Sequence, residues 1–146
     1  MVEEEKKSWT LMVGWLLFLL IGVLITLGGL ASMAEAYRAP EDRIAGVSLA
    51  DLAKLSPDLP NAIRGRRATA ASFAISCGLL VCWVALTAYR RGEKWAWYAL
   101  LSSLGIGTIL SILRIPLLGM TSGAGSAAYL LGATLIALLI SFRDFK

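Results

Sequence analysis

The stretch SWTLMVGWLLFLLIGVLITLGGLASMA, residues 8–34, decides the fold. It holds no charged side chain. A bilayer core about 30 Å thick needs roughly 20 helical residues to cross it, and this run exceeds that length. It lacks the period-two alternation of a membrane β-barrel strand. Backbone groups in lipid must bond internally, which leaves helix as the conformation. The run therefore predicts a transmembrane helix over 9–33.

Outward from it, the chain repeats the pattern. Uncharged runs occupy 68–89, 95–113 and 115–142. Pro116, Gly119, Gly123 and Gly125 break the start of the last one. The remaining spans are expected at 68–90, 95–114 and 123–142. The fold class is all-α: a polytopic, four-transmembrane-helix bundle forming a single domain over 1–146, with a long polar first loop over 34–67. Composition agrees. Of the 146 residues, 58% are apolar and 16% charged, against about 45–50% and about 25% in soluble domains.

The first run is longer than the apolar core of a signal peptide, about 7–15 residues. Before it stand Glu3, Glu4 and Glu5 as well as Lys6 and Lys7, rather than plain positive charge. Ala34-Glu35-Ala36 offers a small-residue cleavage pattern, but an uncleaved span is expected.

Counts exclude several chemistries. There is no histidine, so Ser-His-Asp and Cys-His nucleophiles and histidine-ligated metals are out. Cys77 and Cys82 lie five residues apart, about 140° around a helix, and read as packing residues. No catalytic residue, metal or cofactor is assigned. The net charge of +4 comes from basic residues flanking apolar runs, which suits lipid headgroups rather than nucleic acid. No charge falls inside a span, whereas ion-coupled transporters ordinarily carry an intramembrane ionisable group.

In the first loop, Ser48-Leu49-Ala50-Asp51 reads as a helix N-cap with an acidic third residue. Leu49, Leu52, Ala53 and Leu55 would line one face of a short amphipathic helix ending before Pro57. The 14 lysines and arginines divide equally between the two sides of a four-span chain. The density of Arg90, Arg91 and Lys94 then decides for both termini in the cytoplasm.

Two small-residue stripes have helical spacing: Ala99, Ser103, Gly107 and Ser111 in the third span, and Ala70, Ala74, Gly78 and Cys82 in the second. Such stripes let helices approach closely in lipid. They serve either packing within the chain or an interface with another subunit. Gly14, Gly22, Gly28 and Gly29 smooth the first span as well. The second loop, Tyr89-Arg90-Arg91-Gly92-Glu93-Lys94-Trp95-Ala96-Trp97-Tyr98, is an interfacial anchor. Alternatively, Arg90, Arg91, Trp95 and Trp97, together with Arg114, contact a headgroup or ligand. Arg114, before Ile115-Pro116, is an anchor or a partner for a loop carboxylate, and the proline predicts a bend. A fourth helix could start at Ser122.

The sequence RRGEKWAWY at 90–98, joining the second and third spans, and the arginine closing the third at Arg114 resemble the small DoxX-like four-helix membrane proteins. The resemblance covers about 65–142; the first loop is longer than that group has. It implies a prokaryotic cytoplasmic-membrane four-helix protein, some of whose relatives serve as small subunits of quinone-linked oxidoreductases. It carries no catalytic residue over to this chain.

The expected function is a non-catalytic membrane subunit or oligomerising scaffold, with lipids and other membrane subunits or copies of itself as partners. The alternative is a lipid- or small-molecule-binding protein or passive transporter. A third reading, an interfacial enzyme, would use Glu41, Asp42 and Asp51, for which the sequence supplies no paired geometry.

Overall fold

A computed structural model describes residues 2–38, 43–44, 47–119 and 124–145. Helix α1 runs Val2–Arg38. A short antiparallel pair follows, β1 (Arg43–Ile44) with β2 (Val47–Ser48), setting Arg43 opposite Ser48 and Ile44 opposite Val47. Then come α2 (Leu49–Leu55) and α3 (Leu59–Val84), the latter continued by a π-helical turn over Ala85–Tyr89. Helix α4 (Lys94–Leu100) passes through a second π segment, Leu101–Ile106, into α5 (Gly107–Ile112). The short α6 (Arg114–Leu118) and α7 (Ala124–Ser141) complete the chain, with a last 3-10 turn over Phe142–Phe145.

Four stretches are long and apolar enough to cross a membrane: Trp9–Arg38, Leu59–Tyr89, Lys94–Leu117 and Gly125–Phe145. In each, only 22% of the most apolar part is buried inside the protein. Phe73, Trp83, Tyr129 and Leu139 are among the large apolar side chains left outside.

The helices are longer than the uncharged runs. Helix α1 continues past 33 to Arg38, whose positive charge suits a helix C-terminus. Helix α3 begins at Leu59 rather than 68. Pro60 sits in its first turn, where a missing N–H leaves nothing unbonded, and Ala62 N donates to Asp58 O at 3.0 Å. The polar loop is correspondingly shorter than 34–67. Its short helix forms as the cap pattern requires: Asp51 N donates to Ser48 Oγ at 3.1 Å. Leu49 is buried and Leu55 exposed, so α2 turns only one end of its apolar face inward.

At Pro116 the chain turns at Leu113 and resumes helix at Arg114, placing the proline in the first turn of α6. Gly119 ends α6 in the left-handed region, φ 65°, a conformation that favours glycine. The expected start of a fourth helix at Ser122 lies outside the described residues; α7 is helical from Ala124.

The chain divides into two compact units, Val23–Leu79 and Met1–Gly22 with Leu80–Lys146. In the first, α1 and α3 meet at Gly29. A Cβ there would lie 2.7 Å from Ile75 Cγ1 and 3.1 Å from Ala71 O, so only glycine allows the approach. Ala36, Leu49 and Ala71 are buried in the same unit.

The second unit draws on all four long helices. Its core holds Phe18 and Ile21 of α1, Val84, Ala85, Ala88 and Tyr89 at the end of the second, Ala96, Leu100 and Leu104 of the third, and Ala137 and Leu138 of α7. Phe18 meets the Tyr89 ring edge-on with centroids 4.9 Å apart. Gly14 makes room there, since a Cβ on it would approach Ser141 Cβ to 3.1 Å and the Tyr89 hydroxyl to 3.2 Å.

Candidate functional site

The second loop holds its form through Gly92, φ 73°. Its N–H donates to Tyr89 O at 2.9 Å, and Glu93 N donates to Ala88 O at 3.1 Å. This tight turn sends the candidate contact residues to different places. Arg91 Nε pairs with Glu93 at 2.8 Å, and Trp95 Nε1 donates to the same carboxylate at 2.6 Å. Arg90 instead lies over the Trp15 ring, 5.5 Å from its centroid, an attractive cation–π arrangement. Trp97 turns inward: its Nε1 donates to Leu138 O at 3.1 Å, and its ring packs on Phe142. Arg91 and Trp95 therefore share one surface carboxylate, Arg90 belongs to a Trp15 stack, and Trp97 belongs to the packing. Arg114 is exposed and donates to Ser111 O, in the last turn of α5, at 3.2 Å. It does not join that group.

The small-residue stripe of the third span is placed apart from the buried line. Ala96, Leu100, Leu104 and Thr108 are buried, while Ser103 and Gly107 are exposed and Ala99 and Ser111 half-buried. Nothing lies within 4 Å of a Cβ built on Gly107. On α3, Ala70 is exposed, Ala74 half-buried and Gly78 buried.

Of the three carboxylates considered for an interfacial enzyme, Glu41 and Asp42 lie outside the described residues. Asp51 accepts from Lys54 Nζ at 2.7 Å and from the Ser48 hydroxyl at 2.7 Å. Lys54 first, and Ser48 second, hold its carboxyl below the ordinary value of 3.8. A carboxylate stabilised in this way braces the Ser48 cap of α2 and is a poor general base.

Two polar features went unnoticed in the sequence. One is a buried cluster in the four-helix unit. Tyr89 Oη and Ser141 Oγ hydrogen-bond to each other, and Ser141 donates to Ala137 O at 2.7 Å. Nearby in the same unit, the buried Asp144 accepts from Thr10 Oγ1 at 2.6 Å.

The other is a cavity of about 560 Å³ in the Val23–Leu79 unit. Met33, Ala36 and Tyr37 of α1 line it on one side and Asn61, Arg64 and Ala68 of α3 on the other. Arg64 Nε is buried and has no hydrogen-bond partner. The neighbouring Arg67 is engaged instead, pairing with Glu35 and donating to Ser32 Oγ at 3.4 Å. The spacing of these residues, three and four apart on both helices, is a helical face. It was legible only once α3 is extended back through Pro60.

Compared with models of known protein families, with curated proteins and with solved structures, the chain matches none.

Proposed function

We propose that this chain is an integral protein of the cytoplasmic membrane, crossing it four times, and that it acts as a non-catalytic subunit or oligomerising scaffold of a larger membrane complex. The four apolar stretches and their outward-facing Leu, Phe and Trp side chains support the membrane setting. Apolar surface of that extent is rare on soluble monomers.

One observation carries the assembly reading. On the third helix the buried residues and the small residues lie on different faces: Leu100, Leu104 and Thr108 pack inward, while Ser103 and Gly107 lie exposed. A smooth, unfilled face in lipid suits the close approach of another helix. The DoxX-like resemblance of 90–98 and Arg114 points to a quinone-linked oxidoreductase as the class of partner.

Cysteine cross-linking in native membranes tests this. With Cys77 and Cys82 replaced by alanine, Ser103→Cys is expected to give a cross-linked adduct and Leu100→Cys none. Absence of an adduct at Ser103, with the protein present in the membrane, contradicts the assembly role. The termini are proposed to face the cytoplasm. Asp58→Cys should then react with an impermeant thiol reagent on intact cells. Labelling only after permeabilisation reverses the orientation.

A further inference from the structure

We infer that the cavity between the end of α1 and the start of α3 binds one anionic phosphate-type group, with Arg64 as its principal ligand. The cavity lies where charge ends along the chain: Glu35 and Arg38 are in the last turns of α1, Arg64, Arg66 and Arg67 in the first turns of α3, and no charge follows from Ala68 to Tyr89. Its wall on α3 runs from Asn61 and Arg64 past Ala68 to Thr69 and Ser72, whose hydroxyls are spent on carbonyls of their own helix. A headgroup phosphate and the first carbons of an acyl chain have that same order of polarity.

Arg64 is the residue that asks for a ligand. Its guanidinium donates to no acceptor among the described residues, and its Nε is shut off from water. A buried, unpaired donor on a charged group is costly. A phosphate oxygen would satisfy it, since guanidinium geometry matches phosphate. Glu35, the carboxylate on the facing helix, is already paired with Arg67, and among the described residues no carboxylate pairs with Arg64. Asn61, also on the wall, offers an amide N–H₂ as a further donor. Thr69 and Ser72 do not compete for the anion as donors, because their hydroxyls donate to Gly65 O at 2.9 Å and Thr69 O at 2.8 Å.

A phospholipid and free phosphate present the same chemistry to Arg64. The full chain in neutral detergent separates them. Dioleoylphosphatidylglycerol and dioleoylphosphatidylcholine are titrated and read by native mass spectrometry; inorganic phosphate is titrated and read as a shift in thermal midpoint. Expected is a one-to-one phosphatidylglycerol adduct, formed in preference to phosphatidylcholine. Arg64→Gln should weaken it by at least about tenfold, the loss of one charge-assisted hydrogen bond. Arg64→Lys should restore it in part, and Arg114→Gln should leave it unchanged. The ligand-free midpoint of Arg64→Gln and the Arg64→Lys rescue separate lost binding from lost folding. A phosphate-induced shift that needs Arg64, without a lipid adduct, supports the same site with a soluble anion as its ligand. Equal phosphatidylglycerol binding by the wild type and Arg64→Gln overturns the inference. So does a wild type that neither prefers phosphatidylglycerol nor responds to phosphate. Neither result bears on assembly through Ser103 and Gly107.

Discussion

Gly29→Ala should destabilise the protein relative to Gly28→Ala, although the two glycines are neighbours on one helix. A Cβ at position 29 would stand 2.7 Å from Ile75 Cγ1, 3.0 Å from Ile75 N and 3.1 Å from Ala71 O, whereas at 28 it meets nothing within 4 Å. Two of the three obstructing atoms are backbone. The third belongs to a β-branched residue with one strongly preferred helical rotamer. Relief therefore requires α1 and α3 to separate. Overpacking of this kind costs about 1–3 kcal/mol. Both substitutions gain the same helix propensity, about 1 kcal/mol, so the gain cancels in their difference. Gly29→Ala should therefore be about 1–3 kcal/mol less stable than Gly28→Ala. The assay is unfolding of the full chain in one detergent, followed by helicity, with wild type alongside. Equal midpoints for the two variants, or a more stable Gly29→Ala, would refute the close approach of α1 and α3 at Gly29.

Tyr89→Phe removes a buried hydroxyl that hydrogen-bonds Ser141, and should cost about 1–2 kcal/mol in the same unfolding assay; no loss would mean the pair adds nothing. The α2 cap carries a pH dependence with a defined sign. Asp51 is held below 3.8 by Lys54 and Ser48, so its contribution is present above that value and lost as pH falls through the lowered one. Lys54 is raised above 10.5 by Asp51, so its contribution is present below that value and lost as pH climbs through the raised one. The Cα chemical shifts of α2 should stay helical between those limits, and a transition near neutrality would contradict the cap. Gly107→Leu should not destabilise the fold, and the helix propensity it gains should raise unfolding stability by up to about 1 kcal/mol, because open space surrounds that position.

Much of the fold was legible because charge is costly in lipid. Four uncharged runs located four apolar helices, and Ser48 with Asp51 three residues later located α2 and its cap. The limits were less legible, because helices continue beyond the uncharged runs. Glu35, Arg38, Arg64 and Arg67 fall within the expected loop, yet they stand on the outer turns of α1 and α3. Long basic side chains extend from such turns to polar surroundings. The Arg64 cavity has no signal in the apolar runs, because it is lined where both helices continue past them. The hairpin of β1 and β2 is too short to leave a periodic signal. The stripe Ala99, Ser103, Gly107 and Ser111 was visible, but not which way it faces. The π segment over Leu101–Ile106, in a stretch holding Ser102, Ser103 and Gly105, shifts the helical register. No periodicity count at 3.6 residues per turn anticipates that shift. In the second loop, the residue types announced an interfacial segment. The inward turn of Trp97 depends on the Leu138 carbonyl, 41 residues away in sequence, and no local pattern encodes it.

Native mass spectrometry of the chain extracted gently from its own membrane tests the central claim most directly. The account predicts a stoichiometric complex, either with a larger membrane partner or between copies of the chain, and its loss in Gly107→Leu without loss of folding. A wild-type chain that leaves the membrane alone, or a complex that Gly107→Leu does not disturb, would contradict it.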